Sequence, residues 1–132
     1  MSNTRHYLYL NYNDSINIYS SNTPYDFIVE LPNTLYLDEK RWVCALVDIN
    51  SNEINNENYY LFIDFCESSY VRNTWLPVLR YTNLTNTFSR LSYVNVTRDH
   101  IAKFRVYIRD NNLQTPSFNC ESLSCTLVIK RK

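Results

Sequence analysis

The side chains most often used for nucleophilic catalysis are scarce in this chain, which has only two histidines. His6 lies near the start and His100 follows an Arg-Asp pair. A base and its nucleophile must lie within hydrogen-bonding distance, and no motif here places either histidine beside a serine or a cysteine. We predict that both histidines lie at the surface or at a strand edge, that the chain has no catalytic residues, and that it is not an enzyme.

The four cysteines are the next candidates for chemistry. Cys44 and Cys66 lie between apolar neighbours, where a free thiol behaves as a small buried hydrophobe. Cys120 and Cys125 are separated by Glu-Ser-Leu-Ser, a spacing that could close a disulfide or supply two zinc ligands. The chain has no C-x-x-C or H-x-x-x-H pair to complete a tetrahedral site, and a cytosolic protein keeps its thiols reduced. We predict no metal and no cofactor, and leave the redox state of Cys120 and Cys125 open.

Carboxylates occur at Asp48, Asp64, Glu67 and Asp110, but no spacing selects two of them as an acid-base pair. An unpaired charge inside a protein is costly. We therefore expect Asp64, which has apolar neighbours, to face outward or to pair with an arginine such as Arg80 or Arg109.

Composition excludes several classes of function. The 132 residues include no glycine, which removes the G-x-G-x-x-G, Walker A and G-x-S-x-G sites. The 13 basic and 13 acidic residues cancel, so we expect no nucleic-acid partner. No apolar run reaches the length of about 18 residues that spans a bilayer, and the first residues lack the apolar core of a signal peptide. We predict no membrane partner and synthesis in the cytosol.

The elements that must position any site are β-strands. Residues 26–50 hold two alternating apolar runs around a charged turn, with Phe27 and Leu31 on one face of the first run. In the second run we place Val43, Ala45, Val47 and Ile49 on one face. The other β-like runs are residues 7–11, 16–20, 59–66, 75–81, 91–96, 104–109 and 123–130. The pattern predicts an all-β fold, a single antiparallel β-sandwich domain over residues 1–132, with a jelly roll of about eight strands as its topology.

Punctuation between these runs comes from Asn, Ser, Thr and Pro. Among the residues other than glycine, asparagine and aspartate tolerate positive φ best, so we expect them to form the turns that require it. The candidates are residues 13–14, 51–52, 55–56 and 111–112. We place the prolines at strand starts or corners, and expect at most one helical turn, within residues 51–58.

Tyrosine is abundant, with 12 residues, and it favours interfaces because it buries area while keeping a polar tip. The alternative is that tyrosine replaces Phe and Leu in an AT-biased genome, and the composition leaves both open. For an assembly surface we select aromatic and arginine side chains at strand edges, the residue types that dominate interface energetics. The predicted interface residues are Tyr7, Tyr9, Arg72, Trp75 and Arg80.

Three stretches in colinear order carry a family resemblance. The first comprises residues 21–23, 27–32 and 42–49, and it is similar to an N-T turn, an F-x-V-x-L-P strand and a W-x-V-x-L-x-x-I strand. The second, residues 61–80, is similar to a strand, a short loop and a P-L-L-R strand. The third, residues 104–112 and 123–130, is similar to an I-R-D-D turn and a closing V-x-L-x-F strand.

Together these stretches resemble a small capsid or penton-like protein family of Polinton (Maverick) elements and adintovirus-like double-stranded DNA viruses. The chain lacks the family's turn glycines and its long insertion before residue 61. The resemblance implies a jelly roll and a virion structural protein, either a minor capsid or a penton-like subunit. Its implied partners are other copies of itself, in a ring that could be a pentamer, and other capsid proteins. An attachment module that binds a host receptor or glycan is the alternative.

Overall fold

The computed structural model describes residues 5–15, 19–38, 41–51, 57–117 and 121–132. The described residues form one helical turn, α1 (Tyr12–Ser15), and eleven strands. The strands are β1 (Arg5–Asn11), β2 (Asp26–Tyr36), β3 (Trp42–Ser51), β4 (Tyr59–Ile63), β5 (Ser69–Val71), β6 (Thr74–Leu76), β7 (Val78–Thr82), β8 (Asn86–Thr87), β9 (Val94–Asn95), β10 (His100–Arg109) and β11 (Leu123–Arg131).

The strands form two main antiparallel sheets. In the first sheet the order is β1-β11-β3-β8, and β9 also pairs with β3. In the second sheet the order is β2-β10-β4-β7, while β5 and β6 form a separate hairpin. Side chains from both sheets meet in one apolar core, which makes the fold an antiparallel β-sandwich and confirms the predicted all-β class.

Alternation of side chains along the strands explains most of the core. Phe104, Val106 and Ile108 of β10 are buried, whereas the neighbouring Lys103 and Arg105 are exposed. On the core face of the same sheet, the Phe104 ring meets the Phe65 ring edge to face, with centroids 5.1 Å apart. Such aromatic contacts stabilise a core beyond the area that they bury. The period-2 pattern of this strand therefore predicted its buried face correctly.

The sequence-based prediction of which residues of β3 share one face is wrong. Cys44 and Leu46 belong to the core, whereas Ala45 is buried outside the core cluster. The cause is a β-bulge, because Thr126 pairs with Asp48 and Leu127 pairs with Leu46, which leaves Val47 as an extra residue. The extra residue returns Ile49 to the core face.

Strand boundaries also differ from the prediction. The run 75–81 is split at Pro77 into β6 and β7, and the run 91–96 contributes only β9. Residues 16–18 of the run 16–20 lie outside the described residues, and Tyr19 and Ser20 are not in a strand. Residues 52–56 of the proposed helical turn also lie outside them, and α1 is the helical turn that the structure describes.

Among the described residues, positive φ occurs at none of the predicted Asn and Asp turn positions, and residues 52, 55 and 56 of the predicted pairs 51–52 and 55–56 lie outside the described residues. Positive φ occurs at Arg72 (46°), Asn73 (68°) and Leu113 (61°), and not at the described residues of pairs 13–14 and 111–112. Arg72 and Asn73 form the two-residue loop of the β5–β6 hairpin, where a favoured turn requires positive φ at both positions. At residues 110–114 the Asp110 carboxylate accepts bonds from two backbone N–H groups and so holds the turn.

Candidate functional site

The edges of the two sheets are the most distinctive surface of the sandwich. The edge strand β1 and the edge strand β2 lie on the same side of the molecule, one in each sheet. Between them lies a groove of about 670 Å³, lined by residues 5–8 of β1 and residues 31–35 of β2. Leu8, Leu31 and Leu35 pack against the core from this groove and are only partly buried.

The strand β1 presents one polar and aromatic face and one apolar face. Tyr7 and Tyr9 point outward with 47% and 77% of their surfaces exposed, and their rings stack with centroids 6.4 Å apart. Leu8 and Leu10 point toward the core. Among the described strands, β1 pairs only with β11, so its second edge has no ladder partner there.

The strand β2 has a cover along its free edge. The buried side chain of Asn22 accepts a hydrogen bond from the Ile28 N–H and donates one to the Ile28 carbonyl, both at 3.1 Å. The Tyr19 hydroxyl donates to Glu30 Oε2 at 3.1 Å. Further along, Pro32 lies inside β2, not at a strand start or corner as predicted. It is tolerated because β2 is an edge strand whose register with β10 is irregular between Glu30 and Leu35.

The β5–β6 hairpin carries two of the predicted interface residues. Trp75 is 68% exposed, and its ring meets the Tyr70 ring edge to face at 5.4 Å. Arg72 lies in the exposed loop of the hairpin, beside Asn73, whose Oδ1 accepts a bond from the Tyr70 hydroxyl at 3.2 Å. An exposed aromatic pair and a cation are therefore held on one short hairpin.

Arg80 is placed differently from the other predicted interface residues. It pairs with Leu61 in the ladder and shares the core-facing side of that residue. Its guanidinium lies 3.8 Å from the centroid of the Phe88 ring, and Nη1 donates to the Arg90 carbonyl at 3.1 Å. These contacts close the side of the sandwich opposite the groove. Tyr7 with Tyr9, Arg72 with Trp75, and Arg80 thus lie on three different parts of the fold.

A cluster of charges ties β2 to β10 on the outer face of the second sheet. Arg105 donates to both oxygens of Asp26, at 2.8 and 2.6 Å, and Arg109 lies 3.6 Å from the same carboxylate. The hydrogen bond from Arg105 lowers the pKa of Asp26 below its ordinary value. Both guanidinium groups lie over the ring of Tyr107, whose pKa is raised by burial. The cluster is satisfied internally and fixes the edge strand in register.

The carboxylate of Asp64 has an arginine partner. Asp64 forms an ion pair with Arg98 at 3.1 Å, and not with Arg80 or Arg109 as predicted. The chain turns after β4, and a bond from Thr97 N–H to the Phe65 carbonyl holds the 97–98 segment beside that turn. The partner of Asp64 is therefore determined by the turn after β4, and not by the spacing of residues along the strands.

The histidines and cysteines are used for packing and local pairing. The His6 ring lies over Trp42 with centroids 5.6 Å apart, and His100 Nδ1 is 2.7 Å from Asp99 Oδ1. Cys44, Cys66 and Cys125 are buried and free, whereas Cys120 lies outside the described residues.

Reactive thiolates are disfavoured at the buried cysteines. Burial raises the pKa of Cys125 to about 12. A hydrogen bond with Cys66 and then burial raise the pKa of Cys44 well above its ordinary value. Within the described part of the chain, no three His, Cys, Asp or Glu side chains are grouped to hold a metal ion. No helix among the described residues is long and apolar enough to cross a membrane.

Asn22 is the functional residue that the sequence analysis did not single out. It was noted only as part of an N-T turn, whereas its amide takes the place of a neighbouring strand at Ile28. The available signal was an Asn-Thr-Pro turn placed shortly before a long strand in a chain without glycine. In comparisons with known proteins, no family model matches this chain and no curated protein matches it.

Proposed function

We propose that this chain is a virion structural protein, a minor capsid or penton-like subunit of the Polinton and adintovirus-like type. The observation that carries the proposal is the pairing order of the strands. The first strand pairs with the last (β1 with β11), β2 with β10, β3 with β8 and β9, and β4 with β7. This nested order is what results when one long hairpin wraps into two sheets, and it supports assignment of the sandwich as a jelly roll, an architecture common in viral capsids.

The surface supports an assembly role for the sandwich. Exposed aromatic rings occur on β1 (Tyr7 and Tyr9) and on the hairpin (Tyr70 and Trp75). Large aromatic side chains that keep a polar tip in water are typical of protein interfaces. Arg72 adds a cation beside the second pair. We propose that these residues contact other copies of the chain and other capsid proteins, and that the copies form a ring that could be a pentamer.

The chemistry of the described residues favours binding over catalysis. His6 is packed on Trp42, the thiols of Cys44, Cys66 and Cys125 are buried, and the carboxylates Asp26 and Asp64 are in ion pairs. These described groups are engaged in contacts within the fold. We propose a non-enzymatic protein that is made in the host cytosol and resides in the virion.

Co-expression with the major capsid protein of a Polinton-like element tests this proposal. We expect the chain to co-sediment with particles, and the Trp75→Ser variant to be incorporated at least about tenfold less, as expected for loss of an aromatic anchor. Tyr36→Ser is the matched control, because Tyr36 is 76% exposed but lies at the end of β2. Exclusion of the wild-type chain from particles would contradict the proposal.

A receptor- or glycan-binding module is the second candidate, and the β5–β6 hairpin favours it. The hairpin projects two aromatic rings and Arg72 from a loop with positive φ at two successive non-glycine residues. Such backbone conformations cost energy and occur more often at binding sites than elsewhere. Binding to a glycan array that is lost in Trp75→Ala, by a chain that stays out of particles, would favour this alternative.

A further inference from the structure

We propose that two copies of this chain pair through β1, edge to edge and antiparallel, about a two-fold axis that passes beside Leu8. The contact would join the first sheets of both copies into one continuous sheet. This inference deepens the proposed function, because it names a surface for self-association, but it does not require that the protein be part of a virion.

The first step is that the free edge of β1 is not covered by any strand among the described residues. Exposed edges carry unpaired N–H and C=O groups and are usually protected by proline, by charge, by a bulge or by a covering segment. β2 has Asn22, Pro32 and an irregular register. β1 is seven residues long, pairs with β11 in regular register, and contains no proline and no lysine. Among the described strands it is therefore the long edge best suited to accept another strand.

The second step is that β1 is complementary to itself in one register. In an antiparallel pair, opposed side chains point to the same face, so each tyrosine must oppose a residue from the outer face of the second copy. With Leu8 opposite Leu8 of the second copy, Tyr7 opposes Tyr9 and Arg5 opposes Asn11. This register pairs all seven residues, whereas a shift by two residues in either direction leaves some unpaired. Arg5 carries the only fixed charge on β1, so no like charges meet.

The third step concerns the two faces of the joined sheet. On the outer face, the stacked Tyr7 and Tyr9 rings would continue across the seam into the same pair of the second copy. On the inner face, Leu8 of the second copy would approach the groove that Leu31 and Leu35 line. The pairing therefore covers the exposed edge and the apolar groove beside it at the same time, and aromatic cross-strand pairs stabilise such ladders.

The fourth step is that the contact must be two-fold. A head-to-tail contact needs two different surfaces on each copy, whereas an edge that pairs with itself closes a dimer. On the opposite side of the sandwich, Arg80 and Phe88 fill the gap between the sheets beside β7, and β8 and β9 are two residues long. A ring of copies would consequently have to use other surfaces, such as the β5–β6 hairpin.

The register can be tested with paired charges in the full chain. The Tyr7→Lys/Tyr9→Lys variant places like charges opposite each other, whereas Tyr7→Lys/Tyr9→Glu places opposite charges in the same positions. Light scattering and sedimentation across a concentration series should show a wild-type dimer, a dissociation constant at least about tenfold higher for the Lys/Lys variant, and recovery of the dimer in the Lys/Glu variant. Tyr36→Lys is the control and should leave the dimer intact.

A cysteine at the axis provides a second measurement. The Leu8→Cys variant should form an intermolecular disulfide on mild oxidation, because opposed Cα atoms in a ladder lie about 4.5–5.5 Å apart and a disulfide spans about 4.4–6.8 Å. Tyr36→Cys should not form this cross-link. Far-UV circular dichroism and thermal unfolding verify that each variant folds.

The outcomes separate this inference from the proposed function. A wild-type chain that is monomeric up to its solubility limit, or a Lys/Lys variant that dimerises as the wild type does, overturns the β1 contact. If such a protein still enters capsid particles, the proposed function stands and only the contact is wrong. If the dimer behaves as expected but the chain is excluded from particles, the contact stands and the virion role is wrong.

Discussion

The two edge strands β1 and β2 lie side by side on one flank of the sandwich, but their free edges differ in how they are covered. β2 is bordered by the segment that precedes it, through Asn22 at Ile28 and Tyr19 at Glu30. β1 has no such border among the described residues and exposes the stacked pair Tyr7 and Tyr9. Leu8 of β1 and Leu31 and Leu35 of β2 all line the groove and are partly buried. The two strands therefore differ in how their free backbone edges are covered, and not in their apolar side chains.

This comparison teaches how a single side chain can protect an edge. The amide of Asn22 presents an N–H donor and a carbonyl acceptor side by side in one plane, so it reproduces the two bonds that a neighbouring strand would make to one residue. Another strand could pair with β2 at Ile28 only after the Asn22 side chain had moved away from it.

The opposite flank offers a third solution. There the sandwich is closed between the sheets by Arg80, whose guanidinium lies on the Phe88 ring and donates to the Arg90 carbonyl. The long aliphatic stem of arginine covers apolar surface while its head reaches polar groups. The three places therefore differ: nothing within the described chain covers the free edge of β1, an asparagine covers part of β2, and beside β7 an arginine fills the gap between the two sheets.

The largest expected effect comes from making β2 resemble β1. Asn22→Ala leaves the Ile28 N–H and carbonyl without partners, which should lower the free energy of unfolding by about 2 kcal/mol. Chemical denaturation measures this loss, and amide exchange at Ile28 should accelerate. The control is Asn33→Ala, an exposed asparagine on the same strand, which should change stability by less than about 0.5 kcal/mol. Equal effects of the two substitutions would contradict the edge-capping role of Asn22.

A smaller loss is expected at the closed flank. Arg80→Met keeps the apolar stem over Phe88 but removes the cation–π contact and the bond to the Arg90 carbonyl, so we expect a loss of about 1 kcal/mol. Arg90→Met is the matched control, because Arg90 contributes its backbone carbonyl and its side chain is exposed. Denaturation of both variants at a low protein concentration makes the comparison. A change in association instead of stability would place Arg80 in an interface, as the sequence analysis expected.

The ion pair that holds β2 to β10 should contribute less still. Asp26→Asn removes the partner of Arg105 and Arg109 in a half-exposed cluster, and we expect a loss of about 0.5–1 kcal/mol at neutral pH. Asp14→Asn, at an exposed aspartate, serves as the control.

The pH dependence of this loss follows from the lowered pKa of Asp26. The folded protein holds the carboxylate ionised below its ordinary pKa of 3.8, so the stabilisation is complete above that value. It disappears as the pH falls through the lowered pKa, where the wild type and Asp26→Asn should become equally stable. A difference that stays constant down to the acid limit would show that the ion pair is not its cause.

The sequence predicted the strands with clear local alternation, because the runs 104–109 and 123–130 lie within β10 and β11. Tyr7 and Tyr9, which were selected by residue type as strand-edge interface residues, are exposed on β1. The sequence could not predict the side of β3 that enters the core, because one extra residue at Val47 reverses the pattern. A bulge depends on the partner strand, which local alternation does not reveal.

The same limit explains the placement of Arg80 and Asn22. Arg80 shares the core-facing side with Leu61 because the two residues are directly opposite each other in the ladder of β4 and β7, whose register shifts just after this pair. Asn22 covers β2 because the preceding segment folds back along the strand, which places its side chain at Ile28. Both roles arise from contacts between segments that are distant along the chain. Composition and residue spacing describe each segment alone and do not predict these contacts.

The smallest effect on the isolated subunit is expected at the uncovered edge itself. Tyr9→Ser and Tyr36→Ser each remove a ring that is about three-quarters exposed, at 77% and 76%, so each should change the free energy of unfolding by less than about 0.5 kcal/mol in dilute solution. The two variants should separate as the protein concentration rises. Association stabilises the folded state by mass action, so the wild type and Tyr36→Ser should gain stability with concentration. Tyr9→Ser should gain little, because its contribution to the β1 seam is lost. If the free energy of unfolding rose equally with concentration in all three proteins, the copies would associate through a surface other than β1. The difference between the free edges of β1 and β2 would then have no role in association.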